Sequence, residues 1–241
     1  MLIKIALNGA RKKTESEFIP HSLSEIEKEV KAVLPKGYLT FHIHCYDKQG
    51  RESLKPEDVD SLVLMVRNIS PEIQLGISSG DWIEPDPEKR INYIKNWKYL
   101  PDFISVNMIE ENAVEIAGLL ISRGILVEAG LNETKAAEIF VNSNLQKGCC
   151  IILIEPEEEE INPALKTVND IEKVLNHNKI NLKRLLHGFN SAAWDLLREA
   201  KKRGYDGRIG MEDTLYLEDD TKVKSNLEII ESAERIINRQ K

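Results

Sequence analysis

The feature of this sequence that most constrains its fold is a regular alternation of short apolar runs with amphipathic stretches of helical period. Eight apolar runs are each followed by such a stretch, and no element is left over. Strict alternation of this kind is typical of a parallel sheet. Eight units favour closure into one (β/α)8 TIM barrel, a single domain over residues 1–241. An open doubly wound sheet is the competing fold, but the Gly-x-Gly-x-x-Gly pattern of a dinucleotide-binding first strand is absent.

Capping and turn signals set the predicted boundaries of the elements. The predicted strands cover residues 3–8, 38–46, 74–80, 103–108, 124–131, 149–155, 184–189 and 207–213. Helix caps are predicted at Ser22 (with Glu25 completing a capping box), Asp86, Asn132, Asn190 or Ser191, and Ser225. The strand-to-helix links are the longer ones and hold most of the unusual polar residues. Active sites of (β/α)8 barrels are built from strand carboxyl ends and the loops after them, so functional residues are expected there.

Composition and charge argue against several classes of protein. The chain is 41% hydrophobic and 30% charged, which is typical of a globular domain. A net charge of −7 without a basic stripe gives little electrostatic support to a nucleic-acid partner. The apolar opening is too short for a signal peptide or a membrane span, so no membrane partner is expected.

The cysteines indicate the cellular compartment. The three cysteines form neither a disulfide framework nor a Cys-x-x-Cys pattern. Cys149 and Cys150 are neighbours on one predicted strand and are expected to face opposite ways. The sequence therefore predicts a protein of the reducing cytoplasm.

Two histidines in the second predicted strand, His42 and His44, are candidates for a metal site. Residues two apart in a strand point to the same face. Two imidazoles held in this way can share one ion, since neutral imidazole suits zinc, iron, copper and nickel. A pair of buried histidines satisfied by hydrogen bonds is the alternative. The metal interpretation is favoured by the other end of the chain, where residues 207–213 end a strand-like run in two adjacent carboxylates.

Polar and ionisable residues are concentrated where the predicted strands end. They are Asn8, His42, His44, Ser78, Ser79, Ser105, Asn107, Glu128, Glu155, His187, Glu212 and Asp213. A closed barrel gathers these ends at one mouth, and the strand ends of a purely structural barrel would not be so uniformly polar. Helix capping by the Ser and Asn residues, and packing of His187 beside the site, are the alternatives for single positions.

Glu212 is the predicted third metal ligand, and Arg208 its charged neighbour. On a regular strand Glu212 and Asp213 face opposite ways, and Glu212 shares the face of Arg208. Strands 8 and 2 flank strand 1 in a closed barrel, so Glu212 can approach the histidines over the small Gly9. A His2Glu set leaves a position open for substrate, as catalytic zinc sites do. An acidic turn into the next loop is the alternative.

Arg208 is predicted to point into the barrel interior, where a guanidinium must be paired. Glu128, which interrupts an apolar strand, is the predicted partner. The pair would hold charge in the site or form a purely structural ion pair.

Five segments of the chain resemble the beta-keto acid cleavage enzyme family. They are ALNGA (6–10), FHIHCYDKQGRES (41–53), ISSGDW (77–82), PDFISVN (101–107) and RIGMEDTLYL (208–217). The matches run from the first predicted strand to the eighth, and the His-x-His-x-x-Asp and Arg-x-Gly-x-Glu-Asp motifs are specific in combination. The chain departs from the family pattern at Arg11, where members carry an acidic residue, and at Asp81, where they carry the second of two glycines.

The resemblance implies a (β/α)8 barrel that binds a divalent metal, usually zinc, and is typically a homotetramer. It implies cleavage of a small beta-keto acid with acetyl-CoA as co-substrate, releasing acetoacetate and a new CoA thioester. By motif it assigns His42, His44 and Glu212 as metal ligands, Asp213 and Arg208 to catalysis with Glu128 beside them, and Ser79, Ser105 and Asn107 to the substrate. Asn8, at the end of the first strand, joins the substrate-binding set.

Two other functions stay open on the same residues. One is a metal-dependent retro-aldol lyase or hydrolase that acts without CoA, because His-x-His also begins metal hydrolase sites, although usually on the first strand. The other is a non-catalytic metal or metabolite binder, which is disfavoured by the cost of maintaining a charged barrel mouth.

Overall fold

Strands and helices alternate throughout the computed structural model of the chain, which describes residues 1–238. The strands are β1 (Ile3–Ala6), β2 (Thr40–His42), β3 (Gln74–Ser78), β4 (Phe103–Asn107), β5 (Leu126–Leu131), β6 (Cys149–Ile154), β7 (Arg184–Leu186) and β8 (Asp206–Ile209). The helices are α1 (Leu23–Val33), α2 (Pro56–Ile69), α3 (Pro87–Asn96), α4 (Ala113–Ser122), α5 (Thr134–Asn142), α6 (Ile161–His177), α7 (Ala193–Arg203) and α8 (Asn226–Asn238).

The strands close into one barrel. Each strand pairs in parallel with the next, and β8 pairs with β1 through Lys4 with Arg208 and Ile5 with Ile209. This closure confirms the predicted TIM barrel and excludes an open doubly wound sheet, which would leave two free edges. It also places β1 between β2 and β8, so the two motifs from distant parts of the sequence end at neighbouring points of the mouth.

The main hydrophobic core lies between the barrel and the helices. Outward-facing strand residues such as Ile5, Val127 and Ile152 are fully buried in it. Each helix contributes an apolar stripe of helical period, which in α1 includes Ile26 and Val30. Burial on both faces explains why the strands read as nearly continuous apolar runs.

The barrel interior holds a smaller apolar cluster together with a buried ion pair. Ile151, Leu153 and Leu185 pack against one another inside the barrel. The ammonium of Lys4 on β1 pairs with the carboxylate of Glu128 on β5, and both side chains are almost inaccessible to solvent. A charged pair at this depth can persist only because each group neutralises the other.

The cysteines lie on opposite faces as predicted. Cys149 is part of the outer core, whereas Cys150 packs against the interior cluster. Both, like Cys45, are free thiols. Within residues 1–238, every helix is too short or too polar to cross a membrane.

Every strand except β5 ends earlier than predicted, and β2 and β8 end earliest, by four residues each. His44 and Glu212 therefore lie in loops rather than on strands. The backbone after β8 turns sharply, and the Asp213 amide donates to the Gly210 carbonyl at 2.9 Å. Strand periodicity consequently does not govern which way Glu212 and Asp213 point.

Most of the predicted helix caps are confirmed. Ser22 and Glu25 form the capping box of α1, Asp86 accepts from the first turn of α3, and Ser225 accepts from the Glu228 amide of α8. The caps predicted for α5 and α7 are wrong. Neither helix has a side-chain cap, because Asn132 and Asn190 instead donate to the carboxylates of Glu157 and Glu159 at the barrel mouth.

Candidate active site

A pocket of about 490 Å³ opens at the carboxyl end of the barrel. It is lined by Ala10, Arg11, Glu15, His42, His44, Ser78, Trp82, Ser105, Asn107, Asn132, Glu155, Glu157, Glu159, Phe189, Asn190, Arg208 and Glu212. All eight strands contribute to this lining either directly or through the loop that follows. The site therefore lies where barrel enzymes place their chemistry.

His42, His44 and Glu212 meet at one wall of this pocket, as predicted. Their ligand atoms all lie within 4.8 Å of one another. Nε2 of His42 is 3.8 Å from Oε2 of Glu212, and Nε2 of His44 is 3.6 Å from Oε1. Ligands of one zinc ion, each about 2.0–2.2 Å from it, lie roughly 3.3–3.5 Å apart, so the donor set is slightly wider than a bound ion requires and would accommodate one by a small contraction.

Gly9 makes room for this arrangement. A Cβ on Gly9 would lie 2.9 Å from Cβ of Glu212 and closer still to its Cγ, and the residue has a φ of +60°. The prediction that Glu212 passes over a small residue is therefore confirmed. Oε2 of Glu212 is buried and has no hydrogen-bond partner among the described residues, as expected for an oxygen that awaits a cation.

The electrostatics of the cluster keep Glu212 ionised. Burial alone would raise the pKa of Glu212, but Arg208 and the two histidines outweigh burial and hold the pKa well below its usual value. Burial lowers the pKa of His42. For His44, burial acts in the same direction but is outweighed by Glu212 and Glu52, which raise the pKa to about 9. The site thus combines a fixed negative charge with two imidazoles.

Arg208 does not pair with Glu128, so that prediction is wrong. Its guanidinium donates to Oδ1 of Asp213 from Nη2 at 2.6 Å and from Nε at 3.2 Å, and Nη2 is 2.9 Å from Oε1 of Glu212. Glu128 is instead paired with Lys4, the residue beside Arg208 across the β1–β8 ladder. The turn after β8 folds Glu212 and Asp213 back over Arg208. Glu128, the carboxylate of the barrel interior, therefore pairs with Lys4.

His187 lies between two carboxylates beside the site. Its Nδ1 is 3.3 Å from Oδ1 of Asp213, and its Nε2 is 3.2 Å from Oε2 of Glu155. Asp213 and His187 are completely buried and do not line the pocket, whereas Glu155 does. Oδ2 of Asp213 has no partner among the described residues.

The predicted substrate-binding residues separate into two groups. Ser105 and Asn107 line the pocket. Ser79 is buried outside the lining and donates from Oγ to the Ser105 carbonyl at 2.9 Å, so Ser78, its neighbour, is the pocket-lining serine of β3. The amide of Asn8 is also absent from the lining: it accepts from the His44 backbone amide at 2.8 Å and donates to the His44 carbonyl at 3.0 Å, which braces the metal-site loop.

Several residues at the site were not predicted. Glu52 lies 2.5 Å from Nδ1 of His44, and Trp82 covers His44 with nearly parallel rings. Glu157 and Glu159 belong to an acidic loop to which the sequence assigns no role. The sequence signal that could have identified Glu52 is the turn after β2, with Asp47 and Gly50. The turn leads into a bridge between Tyr46 and Glu52, which returns the chain to His44.

Arg11, where the chain departs from the family pattern, braces the turn after β8. It donates to the Glu212 carbonyl at 2.9 Å, to the Asp213 carbonyl at 3.2 Å and to Oδ1 of Asn190 at 2.6 Å. Arg11 therefore holds the backbone that presents both carboxylates.

Fold and site together define a (β/α)8 barrel with a His2Glu donor set at its carboxyl-terminal mouth. A model of the beta-keto acid cleavage enzyme family matches residues 1–177 and 181–241. The chain belongs to this family. No curated protein matches the chain.

Solved structures share the fold. The apo structure of ObcA superposes with a TM-score of 0.72 at 15% identity, and its ternary complex with a C4-CoA adduct and oxalate with a TM-score of 0.73 at 14%. Both comparisons cover 91% of this chain but only 61% and 63% of the ObcA chain. The 3-dehydroquinate dehydratase of Geobacillus kaustophilus HTA426 superposes with a TM-score of 0.57 at 9% identity, covering 99% of this chain and 92% of that one.

Proposed function

We propose that the protein is a metal-dependent beta-keto acid cleavage enzyme that uses acetyl-CoA and releases acetoacetate and a new CoA thioester. The observation that carries the proposal is the convergence of His42, His44 and Glu212 beside Arg208 in the mouth of a barrel of this family. The exchange balances without any further reactant. The acetyl group joins the α-carbon of the keto acid, the bond from that carbon to the keto carbon breaks, and the released acyl group goes to the CoA sulfur.

His42, His44 and Glu212 would hold the ion, with zinc as the expected metal. When bound, such an ion supplies a Lewis acid for the keto oxygen. Arg208 holds Glu212 in place through Nη2 and adds positive charge beside the reacting carbonyl. One edge of the Arg208 guanidinium is held by the carboxylates of Asp213 and Glu212. Arg208 therefore presents a positive charge to the pocket in a fixed position.

The serine and asparagine side chains would orient the substrate. Ser78, Ser105 and Asn107 lie on adjacent strands, and Ser78 pairs with Ser105 in the β3–β4 ladder. Their hydroxyl and amide groups suit a carboxylate or carbonyl oxygen. Ser79 and Asn8 act on the substrate only through the backbone that they brace.

Asp213 would take up the proton indirectly, because it is completely buried and does not line the pocket, whereas Glu155, on the other side of His187, does. Oδ1 is fixed by Arg208 and faces His187, while Oδ2 has no hydrogen-bond partner within residues 1–238. A carboxylate oriented in this way can accept a proton at the free oxygen. Glu128, paired with Lys4, would act by keeping the interior charge balanced beneath the site.

A CoA-independent metal lyase or hydrolase is the second candidate. The observation in its favour is the charge of the pocket lining. Glu15, Glu157 and Glu159 carry negative charge that would repel the diphosphate of CoA.

A mass-spectrometric screen separates the two candidates. Zinc-loaded protein is incubated with acetyl-CoA and a panel of beta-keto acids, and the same reactions are repeated without zinc and without CoA. A new thioester that requires both additions supports the proposal. Keto acid that disappears equally well without acetyl-CoA supports the lyase, and His44→Ala is expected to lose both zinc and activity. A homo-oligomer, also proposed from the resemblance, is tested by light scattering of the same preparation.

A further inference from the structure

Glu52 closes the outer side of the candidate metal cluster. Asp47 accepts the backbone amides of Gln49 and Arg51, so the chain after β2 makes a compact turn. Gly50 takes a φ of +73° within that turn. The bridge between Tyr46 and Glu52 then returns the chain to the site, which brings a carboxylate back to the histidine two residues before the turn.

Both carboxylate oxygens of Glu52 are engaged. Oε1 lies 2.5 Å from Nδ1 of His44, and Oε2 accepts from the indole Nε1 of Trp82 at 3.1 Å. The Trp82 ring lies over His44 with a centroid distance of 6.4 Å and an interplanar angle of 22°. The contact with Oε1 fixes the rotation of the His44 imidazole. The hydrogen bond from Trp82 to Oε2 fixes the carboxylate itself.

The contact also determines which imidazole nitrogen faces the cluster. In the neutral imidazole that a metal ion requires, Nδ1 donating to Glu52 puts the lone pair on Nε2, the nitrogen that lies 3.6 Å from Glu212. His42 differs, because its Nδ1 is buried and has no hydrogen-bond partner among the described residues. His44 is therefore the ligand whose orientation the protein sets in advance.

We propose that Glu52, held by Trp82, is a positioning residue of the metal centre that orients His44 and raises its affinity for the ion. The proposal rests on the proposed function, because it requires a metal at His42, His44 and Glu212. Carboxylates that accept from the second nitrogen of a ligating histidine are worth about 10- to 100-fold in metal affinity. Trp82 would also report binding, since its ring covers a ligand.

The first experiment measures zinc affinity by competition with a chromophoric chelator. Glu52→Gln keeps the size of the side chain but offers only one acceptor oxygen for two donors, so its zinc Kd is expected to rise about 10- to 100-fold. Glu157→Gln is the matched control, because it removes the same charge from the same pocket without contacting a histidine. Its Kd is expected to stay within about threefold of wild type.

A second variant separates orientation from simple loss of structure. Trp82→Phe keeps an aromatic ring over His44 and removes the donor to Glu52, so a smaller rise in Kd is expected. The zinc-induced change in tryptophan emission should disappear in this variant, since Trp97 and Trp194 are buried elsewhere. Thermal unfolding of each apoprotein checks that the fold is retained.

The outcomes are distinct. A wild-type protein that binds zinc, with Glu52→Gln weakened well beyond Glu157→Gln, supports the proposal. Equal affinities of those two variants overturn it while leaving the metal centre intact. A wild-type protein that binds no divalent metal overturns the proposed function, and this inference with it.

Discussion

Arg208 is the residue on which the charge of the site is balanced. Its guanidinium engages Asp213 through two nitrogens and Glu212 through one, and the side chain is almost completely buried. Arg208→Lys keeps the charge but loses the planar fork, so kcat/KM is expected to fall roughly 100-fold while zinc content is unchanged. Steady-state kinetics with metal analysis measures both, and Arg198→Lys at an exposed pair is the control. Unchanged kcat/KM in Arg208→Lys would contradict the assigned role.

His187 permits a finer comparison between its two contacts. Asn places its amide nitrogen near the position of Nδ1, which faces Asp213, and Gln places it near Nε2, which faces Glu155. If Asp213 moves the proton, His187→Asn should retain several-fold more kcat than His187→Gln. KM should change little in either variant, because His187 does not touch the pocket. The reverse order of kcat would indicate that Glu155 is the reacting carboxylate.

At the scale of elements, the loop after β1 is shaped to admit Glu212. Gly9→Ala would place a Cβ against Glu212 and would also strain a residue with φ of +60°. Zinc affinity is expected to fall at least tenfold by isothermal titration. Gly37→Ala has a similar backbone cost at φ of +86° and meets no atom of residues 1–238 within 4 Å, so it should lose stability without losing zinc. Equal zinc affinities of Gly9→Ala and Gly37→Ala would show that the position of Glu212 does not depend on Gly9.

The start of α1 carries a pH-dependent contribution to stability. Burial would raise the pKa of Glu25, but Lys13 and the backbone amides of Ser22 and His21 lower it to about 2. Since the folded-state pKa is below the ordinary value, the contribution is complete above pH 5 and is lost as the pH falls from 4.5 toward 2. Glu25→Gln should cost about 0.5–1 kcal/mol at pH 7.

Thermal unfolding between pH 3 and pH 8 tests this expectation. The difference in the free energy of unfolding between wild type and Glu25→Gln should narrow below pH 4.5 and stay constant above pH 5. Glu27→Gln, which removes a carboxylate from the same helix where it pairs only with Lys31, should show a smaller and flatter difference. A stability difference between wild type and Glu25→Gln that widens toward low pH would contradict a lowered pKa of Glu25 in the folded state.

Local signals in the sequence were sufficient for the existence of the strands, most caps and the convergence of His42, His44 and Glu212. The His-x-His motif and the two carboxylates after β8 are short patterns at strand ends, and closure of the barrel is enough to bring them together. The pairing of Lys4 with Glu128 could not be found in this way, because it depends on which interior cation lies opposite β5. Glu52 and Trp82 were missed because loop geometry, not periodicity, places them.

At the scale of the whole molecule, metal binding should stabilise the barrel. The proposed ligands come from β2, from the loop that follows it and from the turn after β8, on either side of β1. Zinc at 100 times its Kd should add about 2.7 kcal/mol, or a rise in Tm of about 5–10 °C for a chain of this length. Calorimetry with zinc and with chelator measures the shift, which His44→Ala should abolish. An equal shift in that variant would place the ion elsewhere.

The most direct test of the central claim follows the fate of the acetyl group. Zinc-loaded protein is given acetyl-CoA with both acetyl carbons labelled with carbon-13, together with unlabelled beta-keto acids, and the products are resolved by mass spectrometry. We expect acetoacetate that carries both labelled carbons and an unlabelled new CoA thioester, each absent without metal. Unlabelled acetoacetate, or keto acid consumed without any thioester, would contradict an acetyl transfer to the keto acid.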